Sequence, residues 1–190
     1  GKGVLFSKND VVVYEGEKKN SYKSKNIVIA TGSAPTSLPG IEIDEKNIVS
    51  STGALTLSEV PKNFIVIGGG YIGLEMGSVW SRLGSNVTVL EYLDHITPGM
   101  DKEISSEFMK ILTKQGLNFK LNSKVTSVID KKNQVEVSYS NNETLKKESM
   151  LADKVLIAVG RKPYTEGLNL TKIGIKKDNQ GKIEVNEKLQ

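Results

Sequence analysis

The chain contains no cysteine. That excludes disulfide scaffolds, thiolate metal sites, and any cysteine nucleophile or redox dithiol among these 190 residues. It has one histidine, His95, so a metal centre built from several histidines is excluded as well; no metal site is expected. Arginine is scarce. Only Arg82 and Arg161 occur, so the net charge of +4 is a lysine excess. The lysines fall in pairs (Lys18-Lys19, Lys131-Lys132, Lys146-Lys147, Lys176-Lys177) beside Asn, Asp or Glu, which reads as solvated turns. Without a recognition motif or arginine–aromatic interleaving, nucleic acid is not an expected partner. No run approaches the roughly 18 apolar residues of a membrane span. The chain opens at Gly1 without a charged-then-apolar leader, as a processed chain or a fragment would.

What is present is ordinary for a globular chain: 37% hydrophobic residues and 18 glycines without a period. The first fifty residues read as short strands, Gly3–Phe6 and Val11–Tyr14, then a polar run from Glu15 to Lys25. Asn26–Ala30 is continuous and apolar, like a strand buried on both faces, and turns at Thr31-Gly32-Ser33. A connection follows, with one helical turn expected near Thr52–Leu57.

From Asn63 the pattern is that of a nucleotide-binding unit. Phe64–Ile67 reads as a strand and Gly68–Gly73 as a glycine turn. Leu74–Leu83 reads as a helix with Ile72, Met76, Val79, Trp80 and Leu83 on its core side. Asn86–Leu90 is a second strand, and Met100–Gln115 a second helix with Ile104, Phe108, Ile111 and Leu112 inward. Leu117–Leu121 is a third strand. The period then becomes two over Lys124–Ile129, Gln134–Tyr139 and Glu143–Met150, an antiparallel meander, before a buried strand at Lys154–Val159. The fold class is α/β: a Rossmann-like βαβαβ unit with a β-meander.

Gly68-x-Gly70-x-x-Gly73 follows a strand and opens a helix. An acid, Glu91, ends the next strand 18 residues after Gly73. That context is the dinucleotide fingerprint. Gly68 permits the tight turn, Gly70 lets a pyrophosphate approach the backbone, and Gly73 lets the helix pack close. The helix start offers free N–H groups and positive potential to phosphates. Gly77 costs about 1 kcal/mol of helix propensity, which close helix–sheet packing would repay. A carboxylate at Glu91 suits both ribose hydroxyls of NAD and would repel a 2′-phosphate; no arginine follows in Tyr92–His95. Glu75 reads from the residues alone as an acid complementing the helix dipole. His95 reads as an exposed loop residue and Trp80 as core.

These residues resemble a known family. The run GGGYIGLEMGSVWSRLGSNVTVLEYLDHITPGMD, with IVIATGSAPTSLPG, KLNSKVTSV and VLIAVGRKPYTEGLNLTKIGI, is similar, in the same order, to dihydrolipoamide dehydrogenases, the flavin-dependent E3 components of 2-oxoacid dehydrogenase complexes. The resemblance implies a partial FAD-domain segment over 1–53, an NAD-binding domain over 54–160, and a return toward the FAD domain over 161–190. It assigns Gly68, Gly70, Ile72 and Gly73 to NAD, with Glu91 on the adenosine ribose, the Val125 backbone near adenine and Gly160 near the nicotinamide end. It moves Glu75 to the nicotinamide–flavin junction, makes Tyr71 an aromatic gate, and brings Thr31 and Gly32 to the FAD side. It further implies a homodimeric parent within a 2-oxoacid dehydrogenase complex, in bacterial cytoplasm or the mitochondrial matrix. The family's Cys-x4-Cys pair, its first FAD glycine motif and its catalytic His–Glu pair are not in this sequence. The chain is therefore expected to be the middle of such an enzyme, with no catalytic residue of its own and no turnover. A related NAD(P)-dependent reductase, such as a mercuric or glutathione reductase, and a free-standing NAD-binding module are the competing expectations.

Overall fold

A computed structural model describes all 190 residues. The chain forms two compact units, Pro35–Gly160 in one, and Gly1–Ala34 with Arg161–Gln190 in the other.

The chain begins with an antiparallel meander of β1 (Lys2–Leu5), β2 (Asp10–Glu15) and β3 (Lys18–Lys23). β3 lies in the polar run from Glu15 to Lys25, for which no strand is expected. All six of its side chains are exposed, so no apolar alternation marks it. Gly16, at φ +60°, turns the chain so that Glu15 and Lys18 pair, and the ladder to β2 follows from that turn.

Asn26–Ala30 is a correction. The segment expected as a doubly buried strand pairs with nothing, and Val28 is 86% exposed. An apolar run becomes a strand only when a ladder takes its N–H and C=O groups, and no strand of this chain supplies one. The short β4 (Ser33–Pro35) follows.

The larger unit holds β5 (Ile48–Val49), α1 (Ser51–Ala54), β6 (Asn63–Ile67), α2 (Tyr71–Arg82), β7 (Asn86–Leu90), α3 (Lys102–Lys114), β8 (Asn118–Lys120), β9 (Ser123–Asp130), β10 (Val135–Asn141), β11 (Lys147–Ala152) and β12 (Lys154–Ile157). Five strands form a parallel sheet in the order β5-β12-β6-β7-β8. β9, β10 and β11 form the antiparallel meander. Strand alternation explains why Phe64–Ile67 of β6 are all apolar. Phe64 and Val66 face a core with Leu74, Trp80, Val87 and Leu112 from the helices and sheet. Ile65 and Ile67 face a second core with Val135 and Val137 of the meander.

Ile48–Val49 hydrogen-bonds to β12, within the compact unit Pro35–Gly160. Two expectations change here. α2 starts at Tyr71, inside the glycine motif, with Gly70 as N-cap; it buries Gly73, Leu74, Gly77 and Trp80, while Val79 and Leu83 stay exposed. α3 is rotated by one residue from the expected face. Ser105, Met109 and Leu112 turn inward, and Ile104, Phe108 and Ile111 lie outside. Adjacent stripes on a helix are about 100° apart. The contact of Ser105 with Thr97 selects the stripe that carries the small residue.

After β12 the chain returns to the smaller unit through β13 (Arg161–Pro163), which pairs with β4, and a 3-10 turn at Leu170–Ile173. The Arg161 guanidinium donates to the Ser33 side chain and carbonyl at 2.7 and 2.6 Å.

Candidate functional site

β6 is where the strand order of the sheet reverses: β7 and β8 lie to one side, β12 and β5 to the other. Ligands of open α/β sheets bind at the carboxyl ends of the strands at this switch point. Gly68–Gly73 sits there.

The glycines have different physical reasons. Gly68 adopts φ +110°, and a Cβ on it would lie 2.5 Å from the Ala158 carbonyl oxygen of the neighbouring chain segment. Its N–H donates to Leu90 O at 2.9 Å. A Cβ on Gly73 would strike the Gly68 carbonyl, so this glycine lets α2 start against its own turn. Gly70 is unlike both. Its backbone, φ −76° and ψ 174°, suits any residue, and a Cβ there would meet nothing within 4 Å. The fold does not need a glycine at 70; the open space beside its backbone is what a side chain would fill.

Gly69 is held from both ends. Its N–H donates to Glu91 Oε2 at 2.5 Å, and its carbonyl accepts from Thr97 N at 2.8 Å. Glu91 is 7% exposed, and its other oxygen accepts Leu93 N at 2.8 Å. Each carboxylate oxygen keeps a second lone pair, so Glu91 can brace the turn and still accept a hydroxyl. The N–H groups of Gly70, Tyr71, Ile72 and Gly73 have no acceptor within the chain. They form the free first turn of α2.

Of the other expected residues, Tyr71 and Glu75 are exposed on α2 and Ile72 is half-buried. Val125 is half-buried on β9 opposite Tyr139. Gly160, at φ +132°, is exposed, and its carbonyl accepts Thr36 N at 3.0 Å. Thr31 and Gly32 belong to the smaller unit, where both bond to the Tyr164 backbone: Thr31 Oγ1 donates to Tyr164 O at 2.5 Å, and Gly32 O accepts Tyr164 N at 2.9 Å. The structure thus gathers Gly68, Gly70, Ile72, Gly73 and Glu91 around one turn. His95 pairs locally with Asp94 at 2.5 Å, which holds the Asp94 carboxyl below its usual range.

Gly69, Thr97 and Ser105 are not part of the sequence fingerprint. Gly69 occupies one of its variable positions; Thr97 and Ser105 sit in the loop and helix after β7, where only tertiary contact reveals them. Beyond the turn, Glu148 accepts from Lys146 Nζ at 2.8 Å and from Tyr139 O–H at 2.7 Å, with Lys120 Nζ at 3.5 Å. These partners, Lys146 first, hold its carboxyl at about 2. This cluster ties β8 to β10 and β11.

With this geometry in place, comparison with known proteins is direct. The family model of pyridine nucleotide-disulphide oxidoreductases matches residues 1–190. The chain belongs to that family of oxidoreductases. It is 57% identical over 167 residues to a dihydrolipoamide dehydrogenase of Chaetomium thermophilum, covering 87% of this chain and 33% of that protein. It is 52% identical over 189 residues to the mitochondrial dihydrolipoyl dehydrogenase of Pisum sativum, covering 100% of this chain and 38% of that protein. Among solved structures, the HOCl-induced flavoprotein disulfide reductase RclA of Escherichia coli matches with TM-score 0.85 and 31% identity, over 100% of this chain and 42% of that one. The chain thus spans about a third of the length of these curated relatives, 33% and 38%.

Proposed function

We propose that the larger unit binds NAD(H) at the Gly68–Gly73 turn, as the nicotinamide half of an enzyme that oxidises dihydrolipoamide to lipoamide. The observation that carries this reading is Gly70. It is a glycine that no atom of the chain requires, beside four N–H groups that no atom of the chain accepts. A pyrophosphate fits both facts, since it needs close backbone approach and several donors. Gly70, Tyr71, Ile72 and Gly73 would donate to it, with the positive end of α2 behind them. Glu91 would accept the adenosine ribose hydroxyls and disfavour a 2′-phosphate. The Val125 backbone would lie near adenine, and Gly160 and Glu75 toward the nicotinamide, with Tyr71 as a gate. Bound NAD supplies a hydride acceptor.

The relatives' names, a dihydrolipoamide dehydrogenase, a mitochondrial dihydrolipoyl dehydrogenase and a flavoprotein disulfide reductase, support a flavin and a dithiol substrate for the whole enzyme. FAD on the Thr31–Gly32 side, a homodimer, and service to a 2-oxoacid dehydrogenase complex in bacterial cytoplasm or the mitochondrial matrix complete the proposal and follow from the sequence resemblance. The redox thiols of such an enzyme are not among these 190 residues, so this chain alone should not turn over lipoamide. Titration with NADH and NADPH, followed by nicotinamide fluorescence, tests the reading. Saturable NADH binding with weaker NADPH binding supports it; equal binding or none in a folded sample contradicts it.

A further inference from the structure

Thr97 lies in the loop between β7 and α3, outside any nucleotide fingerprint, yet its backbone reaches the middle of the glycine turn. Thr97 N donates to Gly69 O at 2.8 Å. A trans peptide points its C=O and the following N–H in opposite directions. Fixing the Gly69 carbonyl toward Thr97 therefore fixes the Gly70 N–H away from it, and no group of the chain accepts that N–H. A Gly-Gly peptide is among the easiest to flip, because neither residue has a Cβ to restrict it.

Thr97 is itself held in place. It is 6% exposed and adopts φ +50°, a conformation costly for a β-branched residue and kept only where its surroundings enforce it. Its side chain is held by two bonds: Thr97 Oγ1 donates to the Ile96 carbonyl at 2.8 Å and lies 2.8 Å from Oγ of Ser105, which is 1% exposed on α3. Ile96, fully buried beside Gly69, seats the same loop in the core.

We infer that Thr97, anchored by Ser105, is a positioning residue that orients the Gly69–Gly70 peptide so that the Gly70 N–H faces the dinucleotide pyrophosphate. This rests on the NAD(H) reading above. The turn is then set before ligand arrives, and binding does not have to supply the cost of orienting it.

The test combines amide hydrogen exchange on the 190-residue chain without ligand with NADH titration of the same samples. In the unsubstituted chain the amides of Gly69 and Thr97 should exchange slowly. Thr97→Val keeps the branched shape and removes the hydroxyl. It should speed exchange at both positions, leave the β6 and β7 amides unchanged, and weaken NADH binding roughly three- to tenfold, the range of one lost hydrogen bond. Ser105→Ala should do the same, and Thr97→Ser should restore both readouts. Fast exchange at residue 97 in the unsubstituted chain, or NADH affinity unchanged in Thr97→Val, overturns the inference. If the amides behave as expected but the folded, unsubstituted chain binds no NADH, the dinucleotide reading fails and this role with it, while the tether itself stands.

Discussion

Glu91 Oε2 accepts the Gly69 N–H at 2.5 Å, joining the end of β7 to the turn that follows β6. The acid that the fingerprint assigns to a ribose is thus also a brace of the apo turn, with Leu93 N on its other oxygen. Glu91→Ala leaves two backbone donors without their acceptor, at about 2–3 kcal/mol. Urea unfolding should show this loss with no ligand present. Unchanged stability would mean the carboxylate only awaits the ligand.

The glycines of the turn should separate by role. Gly68→Ala and Gly73→Ala bring a Cβ against backbone carbonyls and should destabilise or prevent folding. Gly70→Ala meets open space, so its stability should stay within about 1 kcal/mol, a difference an N-cap change can produce. Its NADH affinity should nevertheless fall at least tenfold or so, because the methyl occupies the pyrophosphate's approach. Thermal melts and NADH titrations of the three variants check this. A Gly70→Ala protein that binds normally would remove the main support for the site.

Gly77 is a different case. A Cβ there would lie 3.4 Å from Val87 Cγ1 and 3.5 Å from Leu117 Cδ2, ordinary contact distances. Gly77→Ala should therefore gain up to about 1 kcal/mol of helix propensity without a clash. A raised melting temperature is the expected outcome; a lowered one would show that α2 sits closer to β7 than these distances indicate.

The elements around this turn were readable because each carries its own signal. β6 holds the continuous apolar run Phe64–Ile67 and β7 is rich in β-branched residues, the glycines stand at fixed spacing, and the meander alternates with period two. What could not be read depends on partners. Asn26–Ala30 has the composition of a buried strand but lacks a ladder. β3 has no apolar residue facing a core, and exists through its register with β2. On α3, Ile104, Phe108 and Ile111 are more apolar than Ser105, yet Ser105 is inside because Thr97 meets it there. Thr97 itself had no sequence signal at all.

The Glu148 cluster sets a pH dependence. Lys146 and Tyr139 hold the carboxyl at about 2, below its ordinary 4.5. A depressed carboxyl stabilises the fold fully above the ordinary value and loses that contribution as pH falls toward the folded one. The stability difference between the unsubstituted chain and Glu148→Gln should therefore be largest near neutral pH, shrink below pH 4.5, and close near pH 2. Salt should narrow it, since the two charged partners, Lys146 and Lys120, are exposed to solvent. A difference that grows on acidification would contradict this sign.

The most direct measurement is a residue-resolved amide NMR titration of the 190-residue chain with NADH. The amides of Gly70, Tyr71, Ile72 and Gly73 should shift together and saturate with one dissociation constant, while the smaller unit stays unmoved. Shifts confined to other residues, or none at saturating NADH in a folded sample, would contradict a dinucleotide site at this turn.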